Sequence, residues 1–152
     1  MSDSAAVLHG ALLARGETVG CAESLTGGEL ASLLSATPGA SATFAGGVVT
    51  YATPLKRRLL GVTAPDVVSG ECAVQMAMGV RELLDVDWAL STTGVAGPDL
   101  QEGQPAGTVF VALAGRHSVR FVRLALDGDR STIRSGTCAG AVDLLLGEVS
   151  DG

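Results

Sequence analysis

The chain has 152 residues, 47% of them hydrophobic, which suits one domain with a core that needs no disulfide or metal staple. Its formal charge is −6, and its ten lysines and arginines are scattered rather than gathered in a stripe, which argues against a nucleic-acid backbone as partner. No apolar run is long enough to cross a membrane.

The predicted elements follow an α/β alternation. Residues 4–15 form a helix, with Val7, Leu8, Ala11 and Leu12 on one stripe and Gly16 as its cap. His9 and Gly10 interrupt its apolar residues, so it reads as a helix and not as a secretory leader. Thr18 to Ala22 is a short strand. Glu23-Ser24-Leu25-Thr26-Gly27-Gly28 then leaves the strand and opens a helix, Glu29 to Ser35. Such a turn exposes backbone N–H groups and can hold an anion, with Ser24, Thr26 and Gly28 as its candidate contacts. A helix cap with close helix packing explains the same residues equally well. Thr37-Pro38-Gly39 is a turn.

The stretch Gly39 to Lys56 (GASATFAGGVVTYATPLK) organises the rest. Val48 to Tyr51 are strand formers, and Thr53-Pro54 suits an N-cap followed by proline at the first helical position. Lys56 then sits in the first helical turn, where the helix dipole disfavours a cation and favours a neutral lysine able to act as a base. Ser41 precedes the strand and Lys56 follows it, and a six-residue strand spans roughly 20 Å. The two meet only if Ser41 to Ala45 doubles back, with Gly46 and Gly47 making the reversal, or if a second subunit supplies one of them. An N-cap for Ser41 and a solvated face for Lys56, Arg57 and Arg58 are the plainer alternatives.

Helix Glu71 to Leu84 and strand Asp87 to Thr93 come next, then the loop Gly94-Val95-Ala96-Gly97-Pro98-Asp99. Ligands collect at such strand ends in open α/β sheets, although a plain turn reads the same. Gly107 to Ala114 and Val119 to Leu126 form a hairpin with His117 at its tip. Arg130 opens the last helix, Ser131 to Leu146, either as a fork for an anion or as a salt-bridge partner of Asp127 or Asp129. Cys21, Cys72 and Cys138 lack CxxC or histidine spacing, so they read as reduced thiols of a cytoplasmic protein, with no metal and no cofactor.

Four segments together resemble one family: AESLTGG (22–28), GASATFAGGVVTYATPLKRRLLGV (39–62), STTGVAGPD (91–99) with PAGTV (105–109), and GDR (128–130). Their order and spacing are similar to the CinA C-terminal domain family of nicotinamide-nucleotide amidohydrolases, in a standalone form spanning residues 1–152 as a single domain. The resemblance implies a three-layer α/β/α fold with a mixed, mostly parallel sheet and one C-terminal antiparallel hairpin. It implies deamidation of nicotinamide mononucleotide to nicotinate mononucleotide and ammonia, in pyridine nucleotide salvage. It also implies a nucleophile at Ser41, with Tyr51 and Lys56 as its catalytic partners, and substrate contacts at Thr93 and Arg130. The run Ala52-Thr53-Pro54-Leu55-Lys56 keeps the family's lysine spacing but loses polar neighbours.

The expected chemistry is a serine–lysine amidase, since neither histidine is placed as a base. Tyr51 would relay the proton or hold the lysine. Backbone N–H groups near Ser41, Gly46 and Gly47 would hold the oxyanion, and Arg130, Thr93, Gly94 and the Ser24 to Gly28 loop would hold the substrate. The expected partner is a small mononucleotide, with no nucleic acid or membrane, and a homodimer is the favoured assembly. The alternatives are a non-catalytic nucleotide-binding or regulatory module, and an amidase for another small amide.

Overall fold

The computed structural model describes residues 2–150. Its elements run α1 (Ser2–Arg15), β1 (Val19–Glu23), α2 (Glu29–Leu34), a 3-10 turn (Ala40–Ala42), β2 (Phe44–Val49), α3 (Thr53–Leu60), α4 (Gly70–Leu84), β3 (Trp88–Gly94), β4 (Thr108–Ala114), β5 (Val119–Ala125) and α5 (Arg130–Ser150). The five strands form one sheet in the order β2-β1-β3-β4-β5. β1 is parallel to β2 and β3, whereas β3–β4 and β4–β5 are antiparallel. Four strands therefore point one way and β4 alone is reversed. The hairpin Val119–Ala125 with Thr108–Ala114 closes through Gly115 N–H to the Ser118 carbonyl, 2.8 Å, with His117 exposed at its tip.

Side-chain alternation along the strands separates two cores. Cys21 and Leu90 face α1, α2 and α5, where they meet Leu8, Leu12, Leu30, Ile133 and Leu145. Their neighbours Ala22 and Ala89 face the opposite layer, with Leu60 of α3 and Met76 and Val80 of α4. β3 and β4 are covered on both faces, which is why both read as apolar runs, and β5 is the exposed edge. Among the described residues no helix is long and apolar enough to cross a membrane.

One local expectation is corrected. The second strand begins at Phe44, not Val48, and Gly46 and Gly47 lie inside it, paired with Gly20 and Cys21. They make no reversal. A Cβ on Gly47 would come within 2.7 Å of Cys21 Sγ, so glycine there permits β2 to pack close to β1. His9 Nδ1 lies 2.7 Å from Thr43 Oγ1, a contact that ties α1 to the segment entering β2.

Candidate active site

β1, β2 and β3 end side by side because they are parallel, and the loops leaving them converge at that edge. Ser24 is the first residue after β1, and its N–H donates to the Thr92 carbonyl of β3 at 3.1 Å. Thr50, the first residue after β2, donates its N–H to the Glu23 carbonyl at 2.8 Å. This register sets the chain on which Lys56 follows directly beside Ser24.

Lys56 is 1% exposed, and it and Leu60 form the buried side of α3, one turn apart. Its Nζ lies 2.8 Å from Ser24 Oγ, 2.7 Å from the Thr50 carbonyl and 3.0 Å from the Tyr51 carbonyl. Those three acceptors take up its three donor directions, and no carboxylate pairs with it among the described residues. Burial of the amine holds its pKa below the ordinary lysine range, against opposing pulls from Cys72 and Glu102. The cause is therefore burial and not positive neighbours: Arg57 and Arg58 are exposed, and Arg57 donates to the Val62 and Ala64 carbonyls.

The nucleophile expected at Ser41 is not at this site. Ser41 is exposed in the 3-10 turn at the opposite end of β2, beside Pro38, Gly39 and Phe44. Strand β2 stands between it and Lys56, and the serine that meets the lysine is Ser24. Gly46 and Gly47 stay in β2, away from the lysine. Tyr51 reaches Lys56 through its main-chain carbonyl only, while its phenol accepts from Arg130 Nη2 at 2.8 Å.

A cavity of about 270 Å³ opens over this edge, with Ser24, Leu25, Tyr51, Gly94, Asp99 and Arg130 among its lining residues. Arg130 spans its mouth: one nitrogen bonds Tyr51 and the other bonds the Gly97 carbonyl at 2.8 Å. Its remaining N–H groups bond no group among the described residues. The salt bridges to Asp127 or Asp129 do not form; Asp129 instead accepts from Thr132 N–H at the start of α5, a bond that holds its carboxyl below the usual range. Gly94 lines the cavity, whereas Thr93 is buried and donates to the Val67 carbonyl at 2.6 Å. Thr26 is turned inward to Glu23 at 2.6 Å and Thr92 at 2.8 Å, and Gly28 precedes α2 in a left-handed conformation.

Glu23 went unread in the sequence. It is fully buried, and its two carboxylate oxygens accept from Leu30 N–H at 2.8 Å and Ala31 N–H at 2.9 Å, capping α2 from a distance. A glutamate ending an otherwise apolar strand was the available signal. Glu23→Ala removes the cap and leaves the Leu30 and Ala31 N–H groups without their acceptor, so stability falls by about 3 kcal/mol, read as a lowered melting temperature or urea midpoint.

Fold and site define a three-layer α/β/α domain with a buried serine–lysine pair at the carboxyl ends of its parallel strands. The chain belongs to the CinA C-terminal domain family, whose model matches residues 1–149. It is 48% identical over 147 residues to a putative competence-damage inducible protein of Levilactobacillus brevis, covering 93% of this chain and 35% of that protein. It is 45% identical over 144 residues to a CinA-like protein of Frankia casuarinae, covering 91% of this chain and 33% of that one. The chain thus spans about a third of the length of the curated relatives it matches. Among solved structures, a CinA superfamily protein of Klebsiella pneumoniae 700603 superposes with a TM-score of 0.95 at 32% identity, covering 99% of this chain and 98% of that one. The competence damage-inducible protein A (ComA) of K. pneumoniae subsp. pneumoniae MGH 78578 gives 0.94 at 34% identity, covering 98% and 96%.

Proposed function

We propose that the chain is an amidohydrolase that deamidates nicotinamide mononucleotide, with Ser24 as nucleophile and Lys56 as its base. The observation that carries this reading is the 2.8 Å contact between a buried lysine and a serine hydroxyl, with two carbonyls on the same amine. In the neutral amine, the Thr50 and Tyr51 carbonyls take its two N–H groups and leave the lone pair for the Ser24 hydroxyl. Ser24 Oγ attacks the carboxamide carbon as its proton passes to Lys56 Nζ. That proton then goes to the departing nitrogen, and ammonia leaves an acyl-serine. Water gives a proton to Lys56 as it attacks the acyl carbon, Lys56 returns that proton to Ser24 Oγ as the ester bond breaks, and the carboxylate product leaves.

The tetrahedral oxyanion needs donors near Ser24. The N–H of Leu25, a residue that lines the cavity, follows it and bonds no group among the described residues, which suits it to that place. The small cavity matches a nicotinamide ring, with the ribose phosphate at the mouth under Arg130. Arg130 and the nearby Arg134 gather positive charge at one edge of an otherwise acidic protein, which favours an anionic substrate. Ammonia release from nicotinamide mononucleotide, measured against a panel of other small amides, tests the reading.

Arg130→Ala raises KM for the mononucleotide by about tenfold to a hundredfold, the worth of a lost charge-assisted contact. KM for the phosphate-free riboside stays near its wild-type value. Equal effects on both compounds would remove Arg130 from the phosphate. The chain's span of a third of its relatives favours a second reading, a nucleotide-binding module within larger proteins. That reading predicts mononucleotide binding by calorimetry with no ammonia released.

A further inference from the structure

β5 is one edge of the sheet and pairs only with β4 among the described residues. Its register with β4 runs unbroken from Val119 to Ala125. The opposite edge, β2, is interrupted: Ala45 is skipped where Phe44 and Gly46 pair with Val19 and Gly20, and such a bulge blunts an edge. Neither a bulge nor a proline does so in β5. Bonded pairs alternate along an antiparallel ladder. Gly115 N–H bonds the Ser118 carbonyl and Leu126 N–H bonds the Gly107 carbonyl, so Arg120, Val122 and Leu124 also turn their backbone groups to β4. Val119, Phe121, Arg123 and Ala125 therefore turn theirs outward. On the same strand the apolar side chains of Val119, Phe121 and Val122 are exposed, Phe121 by 48%.

This strand is complementary to its own reversed copy. With a two-fold axis at Val122, antiparallel pairing matches all 7 residues: Val119 with Ala125, Arg120 with Leu124, Phe121 with Arg123, and Val122 with itself. The outward-turned residues of one strand then meet those of the other, so each free N–H and C=O gains a partner. Each arginine faces an apolar side chain, and no two arginines are opposed. Sliding the copies by two residues one way sets Arg123 against itself, and the other way leaves Leu124 and Ala125 unmatched. Phe121 and Arg123 are already held in place on one face. The Phe121 ring lies against Gly70 of α4 and 6.0 Å from the Phe110 ring, and Arg123 lies 5.9 Å over Phe110. Arg123 of a second copy, set opposite Phe121, extends that stack. We propose that β5 is the interface of a homodimer, in which two copies join edge to edge into one continuous sheet. The dimer does not depend on the chemistry proposed for Ser24.

Light scattering after gel filtration tests the assembly. The wild type gives twice the 15.2 kDa of one chain. Val122→Lys sets two ammonium groups against each other at the axis and gives the mass of a single chain at the same concentration. Cysteine variants read the register. Opposed residues of a non-bonded pair have Cα atoms about 4.5 Å apart, within disulfide range, so Val122→Cys forms a covalent dimer on mild oxidation. Arg120→Cys leaves its two thiols four residues apart along the strands, roughly 14 Å, and does not cross-link. The native cysteines, Cys21, Cys72 and Cys138, are buried and add no background. A wild type with the mass of one chain up to its solubility limit overturns the proposal, and so does a mass above two chains. A dimer that persists in Val122→Lys overturns it as well, as does cross-linking through Arg120→Cys in place of Val122→Cys. If Val122→Lys does not fold, the two cysteine variants decide.

Discussion

Ser24→Ala lowers the rate of ammonia release from nicotinamide mononucleotide on the order of 10⁴-fold or more, with little change in substrate affinity. The hydroxyl serves bond formation and adds little to binding, because the cavity walls and Arg130 remain in place. Ser41→Ala keeps kcat and KM near wild type, since Ser41 is exposed at the far end of β2. Single-turnover ammonia release with each variant, beside mononucleotide binding by calorimetry, gives the comparison. A Ser24→Ala protein with wild-type turnover would sink the nucleophile, and loss of turnover in Ser41→Ala would show that the separation of Ser41 from Lys56 by β2 is not the working arrangement.

Lys56→Arg is inactive at every pH, and this variant separates a base from a fixed charge. Arginine keeps the cation but does not give up its proton, so Ser24 is left without an acceptor. In the proposed mechanism the neutral amine is the active form, and burial depresses its pKa. Activity therefore rises with pH as Lys56 loses its proton, and kcat/KM levels off below the ordinary lysine value of about 10.4. Below that inflection the ammonium holds its three acceptors and has no lone pair for the serine. The profile of kcat/KM from pH 5 to 10 checks the direction. A flat profile, or near-normal activity in Lys56→Arg, would assign Lys56 an electrostatic role and require another base.

The element order was legible because its signals are local. A period near 3.6 marks α1 and α4, continuous apolar runs mark β3 and β4, and Thr53-Pro54 marks the start of α3 to within one residue. The boundary of β2 was misread because glycine has poor strand propensity, whereas Gly46 and Gly47 stand in the strand for a reason that lies in another element, the Cys21 side chain of β1. The loops that form the site were legible as polar and glycine-rich strand ends. Lys56 stood out as a lysine at the wrong end of a helix.

Which serine meets that lysine is another matter. Ser24 and Lys56 lie 32 positions apart, and their contact depends on β1 and β2 being parallel and in register, with Thr50 N–H on the Glu23 carbonyl. Spacing along one strand made Ser41 the nearer candidate and hid that a strand separates as rigidly as it connects. The fate of the threonines was hidden for the same reason. Thr26 and Thr93 look like ligand contacts in sequence, yet their hydroxyls are spent on Glu23, Thr92 and Val67. Local chemistry is enough to say that a chain makes these strands, these loops and one displaced lysine. Burial, and the pairing of groups from different strands, arise only when distant segments pack, and those bury the lysine and set Ser24 beside it.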